Sequence, residues 1–194
     1  MYLLVGLGNP GTGYRNTRHN LGRKAVALLC KRLGFHLTGR RFQALSTSAN
    51  WHDKEIALSC PQTFMNRSGL AVKHLVEYYK PEVTNIMVVH DDIDLDVGRI
   101  KISRGGGAAG HHGVESVIHH LGTEGFNRVR IGIGRPRYGE PIKDFVLNPP
   151  YDDQKRTIKE VLHVVTEAIE SFVFEGVESA MNKFNFLTIR EEDI

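Results

Sequence analysis

The sequence predicts an α/β protein, built as a single-domain three-layer α/β/α sandwich around a twisted mixed β-sheet. Short runs of apolar β-forming residues alternate with segments of helical periodicity along the whole chain. No internal repeat or low-complexity linker separates these segments. The 194 residues suffice for one well-buried core, so we expect residues 1–194 to form one domain.

The start of the chain predicts a strand, a helix and a pair of strands. Tyr2–Val5 is an apolar run that ends in a turn rich in Gly and Pro, which is typical of a buried strand. Apolar residues then recur at helical spacing from residue 22 to Leu33, and Gly34 ends the helix. The runs Phe42–Ser48 and Glu55–Ser59 flank a polar turn and predict an antiparallel pair.

The middle of the chain predicts a second helix followed by a central strand. Apolar residues at helical spacing extend from Leu70 to Tyr79, shortly before Pro81. Ile86–Val89 is continuously apolar, which is typical of a strand in the middle of a sheet. This strand ends on His90–Asp92, three polar residues at an edge where open α/β sheets bind their ligands.

The next segments predict a hairpin, a loop, a helix and a strand. The hairpin-like segment spans Val97–Ile102, and Gly105–Gly110 forms a glycine-rich loop. A helix is expected over Gly113–Leu121 and a strand over Val129–Ile133.

The last segment carries the clearest helical pattern of the chain. An apolar stripe runs from Ile158 to Phe172. Asp152 or Asp153 is the expected N-cap, because a carboxylate there accepts hydrogen bonds from free backbone N–H groups.

Composition predicts a soluble protein of a reducing compartment. Hydrophobic residues make up 41% of the chain, an ordinary globular value, and no apolar run approaches the ~20 residues that span a bilayer. No basic leader precedes the first apolar run, and Cys30 and Cys60 are the only cysteines. We therefore expect a cytoplasmic protein with no membrane association.

Charge is unevenly distributed although the net value is only +3. Acidic residues close the chain at Glu191–Asp193. Eight basic residues precede the first acidic residue, Asp53: Arg15, Arg18, Arg23, Lys24, Lys31, Arg32, Arg40 and Arg41. This basic segment indicates either an ordinary solvated face or a surface that attracts phosphates, and charge alone leaves both open.

A dinucleotide-binding fingerprint is disfavoured, although Gly6, Gly8 and Gly11 match its spacing. That fingerprint needs a helix starting at the third glycine and an acidic residue about 20 positions later. Pro10 keeps this segment in a loop, and no acidic residue occurs before Asp53.

The candidate chemistry lies at strand ends and helix starts. His19 follows the loop after the first strand, and Asp91 follows the central strand. A histidine held by a carboxylate can deprotonate water, since the carboxylate fixes its tautomer and stabilises the imidazolium. Asn9 and Asn66 can hold a carbonyl or a developing oxyanion. A structural role for His19 also fits its position.

Two other kinds of site remain open. The histidines at positions 90, 111, 112, 119 and 120 suggest metal binding, but no H-E-x-x-H or Cys-pair spacing occurs. The Gly105–Gly110 loop leads to a helix N-terminus suited to an anion, with further charge available from Lys101, Arg104, Arg128 and Arg130. A purely structural glycine loop is the alternative. The G-x-S-x-G motif of serine hydrolases is absent.

Taken together, these segments resemble the bacterial peptidyl-tRNA hydrolase family. They match in family order over nearly the whole chain, which is more specific than any single motif. The matching segments are Val5–Gly11 with Tyr14, Thr17–Asn20, Thr63–Gly69, His90–Leu95, the glycine-rich loop to His111, Arg130–Gly134 and Phe145–Leu147.

The resemblance implies a cofactor-free, metal-free esterase that cuts the bond between a peptide and the 3′ ribose of tRNA. It implies that His19 activates water and that Asp91 orients His19. The residues implied at the peptide and ester end of the substrate are Asn9, Tyr14, Met65, Asn66, His111 and His112. Those expected to contact tRNA phosphates are Lys101, Arg104 and Arg130. The resemblance also points to a monomer.

The chain departs from the family pattern at three positions, and at one of them Ala109 stands where the family usually has glycine. His112 stands where the family usually has a substrate-facing asparagine. Ser103 stands where a second lysine is frequent, and Arg104 beside it can compensate. Two alternatives remain, a non-catalytic RNA-binding relative of the family and a metal-dependent hydrolase.

Overall fold

The structure is a computed structural model that describes residues 1–190 and residue 192. Glu191 and Asp193 of the acidic end therefore lie outside the described residues. The described chain contains one sheet of seven strands in the order β2-β3-β4-β1-β5-β7-β6. The strands are β1 (Tyr2–Gly6), β2 (Gly39–Arg41), β3 (Ala44–Trp51), β4 (Lys54–Pro61), β5 (Ile86–Asp92), β6 (Ile100–Arg104) and β7 (Asn127–Gly132).

The sheet is mixed, as predicted. In its centre β1 runs parallel to β4 and β5, and β5 runs parallel to β7. On one side β2, β3 and β4 are antiparallel, and on the other side β6 is antiparallel to β7. The carboxyl ends of β1, β5 and β7 therefore meet at one edge, which places the polar ends of these strands side by side.

Helices cover both faces of the sheet, which confirms the three layers. They are α1 (Leu21–Arg32), α2 (Ser68–Tyr79), α3 (His112–Leu121), α4 (Ile142–Val146), α5 (Lys155–Glu175) and α6 (Val177–Phe184). One apolar core lies between the sheet and α1, α5 and α6. The other core lies under α2 and α3. No helix of the described residues is long and apolar enough to cross a membrane.

The first glycines allow α1 to lie directly on the sheet. A Cβ atom on Gly22 would stand 2.0 Å from the carbonyl oxygen of Val89, and one on Gly6 would stand 2.4 Å from the oxygen of Gly22. These distances exclude any side chain at either position. Gly6, one of the three glycines that match a dinucleotide fingerprint, therefore allows α1 to pack closely on β1, and Gly22 allows it to pack closely on β5.

Several predicted boundaries differ from the structure. β5 continues to Asp92, so His90 and Asp91 belong to the strand itself. The predicted hairpin at 97–102 is wrong, because its strand β6 pairs with β7. The predicted N-cap of the long helix is wrong as well: a 3₁₀ turn precedes α5, and the backbone N–H of Tyr151 donates to Oε1 of Gln154 at 3.3 Å.

Candidate active site

A cleft of about 590 Å³ opens at the carboxyl edge of the sheet. Its floor comes from the ends of β1 and β5, and one wall comes from β6, β7 and the glycine-rich loop. Residues 64–66 and the segment around α4 complete it. Of the substrate-facing and basic residues predicted from the sequence, those that line this cleft are Asn9, Met65, Asn66, His111, His112, Lys101, Arg128 and Arg130, together with His19 and Asp91.

His19 and Asp91 form a direct pair at the bottom of the cleft. His19 lies in a 3₁₀ turn immediately before α1, and its Nδ1 is 3.0 Å from both carboxylate oxygens of Asp91. Both side chains are buried. A carboxylate only accepts hydrogen bonds, so Nδ1 of His19 carries the proton and donates it. The lone pair of neutral His19 is therefore on Nε2, as a general base requires.

His111 is a second partner of Asp91. Its Nε2 lies 3.0 Å from Oδ1 of Asp91. Its Nδ1 accepts hydrogen bonds from the backbone N–H groups of Gly113 and Val114, each at 3.2 Å, and so caps α3. Because Nδ1 is an acceptor, the proton of the neutral ring is on Nε2 and is donated to Asp91.

These contacts shift the pKa values of the pair in opposite directions. Burial opposes the charged form of His19, but the charge of Asp91 and the hydrogen bond to it outweigh burial and raise the pKa of His19 above 6.5. Burial likewise opposes the carboxylate of Asp91, yet the facing His19 and His111 lower its pKa well below 3.8. Asp91 is therefore ionised wherever His19 can act as a base.

His90 precedes Asp91 on β5 and contacts its backbone. Its Nδ1 donates to the backbone carbonyl of Asp91 at 2.7 Å, and its ring lies 4.7 Å from that of His111 between centroids. Burial above all, with a smaller electrostatic effect of the neighbouring His111 ring, lowers the pKa of His90 well below 6.5. Its buried Nε2 has no partner among the described residues. His90 is thus a neutral neighbour of the pair, a role that the sequence did not predict.

Asn9 and Asn66 both line the cleft, but they differ in how they are held. The backbone N–H of Met65 donates to Oδ1 of Asn9 at 2.8 Å. The Asn9 backbone exchanges two hydrogen bonds with the Asn20 side chain, at 2.8 and 2.9 Å. These contacts fix the Asn9 amide and leave its Nδ2 without a partner in the described chain. Asn66 is exposed at the cleft.

Tyr14 lies outside the cleft. Its ring packs edge-on against Phe64, which lines the cleft, with centroids 6.5 Å apart. Phe64 is 57% exposed, an unusually open position for a large apolar ring. Tyr14 thus contacts the cleft through Phe64.

The basic residues fall into two groups. Lys101 and Arg130 are cross-strand neighbours on β6 and β7 and line the cleft. Lys101 is exposed and has no ion pair among the described residues, whereas Nε of Arg130 pairs with Asp92. Arg104 lies outside the cleft and pairs with Glu178 of α6. No local pattern in the sequence indicates this partner.

Two arginines in the basic segments are structural. The Arg128 guanidinium donates to the carbonyl of Gly107 at 2.8 Å and also to those of Gly105 and Gly106, so it holds the glycine-rich loop. Arg18 is 1% exposed and is not part of a basic surface. Its Nη1 donates to the carbonyls of Phe145 and Pro149 at 3.0 and 2.7 Å, which ties the α4 segment to the turn that carries His19.

The start of α3, where the sequence predicts an anion site, does not offer the N–H groups that an anion would need. The N–H groups of Gly113 and Val114 that would hold an anion are occupied by His111. His112 is the exposed residue of this turn, and its Nδ1 lies 3.4 Å from Oε2 of Glu115. Its imidazole lies at the surface of the cleft.

Three side chains at the bottom of the cleft, those of His19, Asp91 and His111, are close enough together to hold a metal ion. One ligand atom from each lies within 4.8 Å of the others. The nitrogen-to-oxygen distances of 3.0 Å are those of hydrogen bonds, and Nδ1 of His111 is already an acceptor for α3. A metal bound here would have to break both hydrogen bonds to Asp91.

A histidine held by a buried carboxylate in an open cleft can activate water by general base catalysis, which is chemistry suited to a hydrolase. Comparison with known proteins gives the family. The family model described as peptidyl-tRNA hydrolase matches residues 3–192. The chain belongs to the peptidyl-tRNA hydrolase family.

The similar proteins match this chain over nearly their full length. Proteins named peptidyl-tRNA hydrolase from Alkaliphilus metalliredigens and Clostridium acetobutylicum are 40% and 41% identical, over 95% and 97% of this chain and 100% of theirs. A crystal structure of peptidyl-tRNA hydrolase from Acinetobacter baumannii has a TM-score of 0.91 and 32% identity, and the match covers 97% of this chain and 96% of that one.

Proposed function

We propose that the protein hydrolyses the ester that joins a peptide, or an N-blocked amino acid, to the 3′ ribose of tRNA, with His19 as general base. The observation that carries this proposal is the contact of Nδ1 of His19 with both oxygens of Asp91 at 3.0 Å. It commits the proton of His19 to Nδ1 and leaves Nε2 as the basic atom. Membership of the family supports the substrate class.

The reaction follows from this geometry. Nε2 of His19 takes a proton from a water molecule while the water oxygen bonds to the ester carbonyl carbon. The carbonyl π pair moves onto oxygen and gives a tetrahedral oxyanion. When the oxyanion collapses, the bond to the ribose 3′ oxygen breaks, and that oxygen receives the proton from Nε2. The products are a carboxylic acid and tRNA with a free 3′ hydroxyl, and His19 is neutral again.

Asp91 stabilises the imidazolium formed in the first step, because its charge and hydrogen bond favour protonated His19. Nδ2 of Asn9, whose orientation Met65 fixes, is a donor for the substrate carbonyl or the oxyanion. Asn66 and His112 supply further polar groups at the exposed side of the cleft. In this proposal Met65 contacts the peptide and ester end, and Tyr14 supports the Phe64 ring beside it.

The RNA part of the substrate lies along the basic side of the cleft. Lys101 offers a charge there that no described residue pairs with, and Arg130 lies beside it on the neighbouring strand. Phosphate contacts of this kind position RNA without reading its sequence. We further propose that the protein acts in the cytoplasm as a monomer, a state that sedimentation of the purified chain would measure.

A release assay tests the proposal. Amino acid release is measured from an N-acetylated aminoacyl-tRNA and from the unblocked form, with and without a chelator. We expect release from the blocked substrate in both conditions. His19→Ala should lower turnover by at least about 10²-fold with tRNA binding kept.

Each alternative has its own outcome in this assay. Activity lost in chelator and restored by a divalent ion would indicate a metal at His19, Asp91 and His111. Binding of the tRNA without release would indicate a non-catalytic RNA-binding relative. Normal turnover by His19→Ala would refute the assignment of the base.

A further inference from the structure

A second cavity, of about 480 Å³, lies outside the active-site cleft. It is formed by the start of α1, the start of α5 and the two prolines that precede α5. None of its lining residues lines the cleft. The proposed reaction does not use it.

Three lysines, Lys24, Lys155 and Lys159, line this cavity, and no acidic residue of the described chain does. Lys24 is half-buried. Its side-chain ammonium group makes one hydrogen bond among the described residues, to Oδ1 of Asn16 at 3.4 Å. Burial lowers the pKa of Lys24. Lys159 has no ion pair in the described chain, and Lys155 pairs with the exposed Asp152. An anion entering the cavity would relieve this concentration of like charge.

The rest of the lining is apolar apart from Asn16. Leu21, Ile158 and Leu162 face the same cavity, and Pro149 and Pro150 form another side. An inorganic anion would make no favourable contact with these apolar groups. A ligand that combines a phosphate with a flat ring would place each part against matching chemistry, because lysine binds phosphate as a point charge and apolar surface favours a ring.

We propose that this cavity binds a nucleotide, with its phosphate at Lys24 and Lys159 and its base against Pro149, Pro150 and the neighbouring apolar side chains. Such a nucleotide has two sources, a free mononucleotide or a nucleotide within the tRNA whose 3′ end occupies the cleft. The second source rests on the proposed function. It is consistent with the path of the chain, since Pro149 is tied through Arg18 to the turn that carries His19.

Calorimetric titration with AMP tests the free nucleotide. The full chain should bind AMP saturably at one site. The variant Lys159→Gln, at an exposed position, and the double variant Lys24→Gln/Lys159→Gln should bind it more weakly, the double variant by at least about tenfold. Two matched controls should keep the affinity: Lys31→Gln, exposed on α1 outside the cavity, and Lys101→Gln, which removes a charge from the cleft.

A kinetic arm tests the tRNA itself. If AMP does not bind, the double variant should raise KM for full-length peptidyl-tRNA but not for a short substrate that carries only the 3′ end, and Lys31→Gln should change neither. Equal AMP affinity in wild type and the double variant, or no AMP binding together with an unchanged KM, would overturn the proposal. A chain that binds AMP at this cavity but releases no amino acid would refute only the proposed function.

Discussion

The His111 side chain joins Asp91 to the first turn of α3. Its Nε2 donates to Oδ1 of Asp91 at 3.0 Å, while its Nδ1 accepts the backbone N–H groups of two residues of that turn. One ring therefore satisfies a helix start and the carboxylate that holds His19. A substitution at this position should therefore affect both the start of α3 and the carboxylate that holds His19.

Replacing His111 should separate these two roles. His111→Ala removes the cap and should lower the free energy of unfolding by about 1 kcal/mol, whereas His111→Asn keeps a capping side chain and should lose less. Urea unfolding measures both. His112→Ala, at the exposed neighbouring position, is the control and should lie within about 0.5 kcal/mol of wild type. An equal loss in the Ala and Asn variants would contradict the capping role.

Asp91→Asn should change both the rate and its dependence on pH. The amide introduced by this substitution can donate to Nδ1 of His19, which forces the remaining ring proton onto Nε2, so kcat should fall by at least about 10²-fold. In the proposed reaction the base works only when neutral, so wild-type activity should rise with pH through the pKa of His19, which Asp91 raises above 6.5. Without the charge of Asp91, burial dominates that pKa, and the rise should move to lower pH.

Rates measured between pH 5 and 9 test this shift, since that range lies on both sides of the ordinary histidine pKa of about 6.5. Asp94→Asn is the matched control, because Asp94 follows the same strand but pairs with Arg135 at the surface. It should leave the midpoint of the profile in place. A midpoint that also stays in place in Asp91→Asn would show that Asp91 does not set the pKa of His19.

Lys101 and Arg104 should differ as tRNA contacts. Lys101→Gln should raise KM and lower the slope of log KM against log salt by about one unit, because one phosphate contact is lost. Arg104→Gln should have a smaller effect, since Arg104 pairs with Glu178 outside the cleft. KM measured over a series of KCl concentrations distinguishes the two variants. Equal slopes in both would refute this division of the basic residues.

His112→Asn should alter the acid side of the activity profile. A protonated imidazole has no acceptor atom, whereas an amide donates and accepts at every pH. We therefore expect wild-type activity to fall more steeply below neutral pH than activity of the variant, with the variant equal or better at pH 7. Superimposable profiles would show that His112 does not contact the substrate.

Local patterns in the sequence were enough to predict the class of fold and most of the elements. Helix α2 follows from apolar periodicity and strand β5 from a continuously apolar run. Both are present, although α2 begins at Ser68 and β5 continues to Asp92. The N-cap of α5 was mispredicted, because a 3₁₀ turn before the helix moves its start past Asp152 and Asp153. Such a boundary depends on competing local turns that differ little in energy.

The amino-acid order alone places Asp91 at the polar end of one strand and His19 in the loop after another, the positions where open α/β sheets bind their ligands. The parallel pairing of β1 with β5, which brings the two residues to one edge, is a property of the tertiary structure. Which partner each charged side chain contacts depends on tertiary packing. The fold buries Arg18 under α4, pairs Arg104 with α6 and gives Asp91 a second donor in His111. These contacts join residues 20 to 127 positions apart, and periodicity carries no information about pairs so distant.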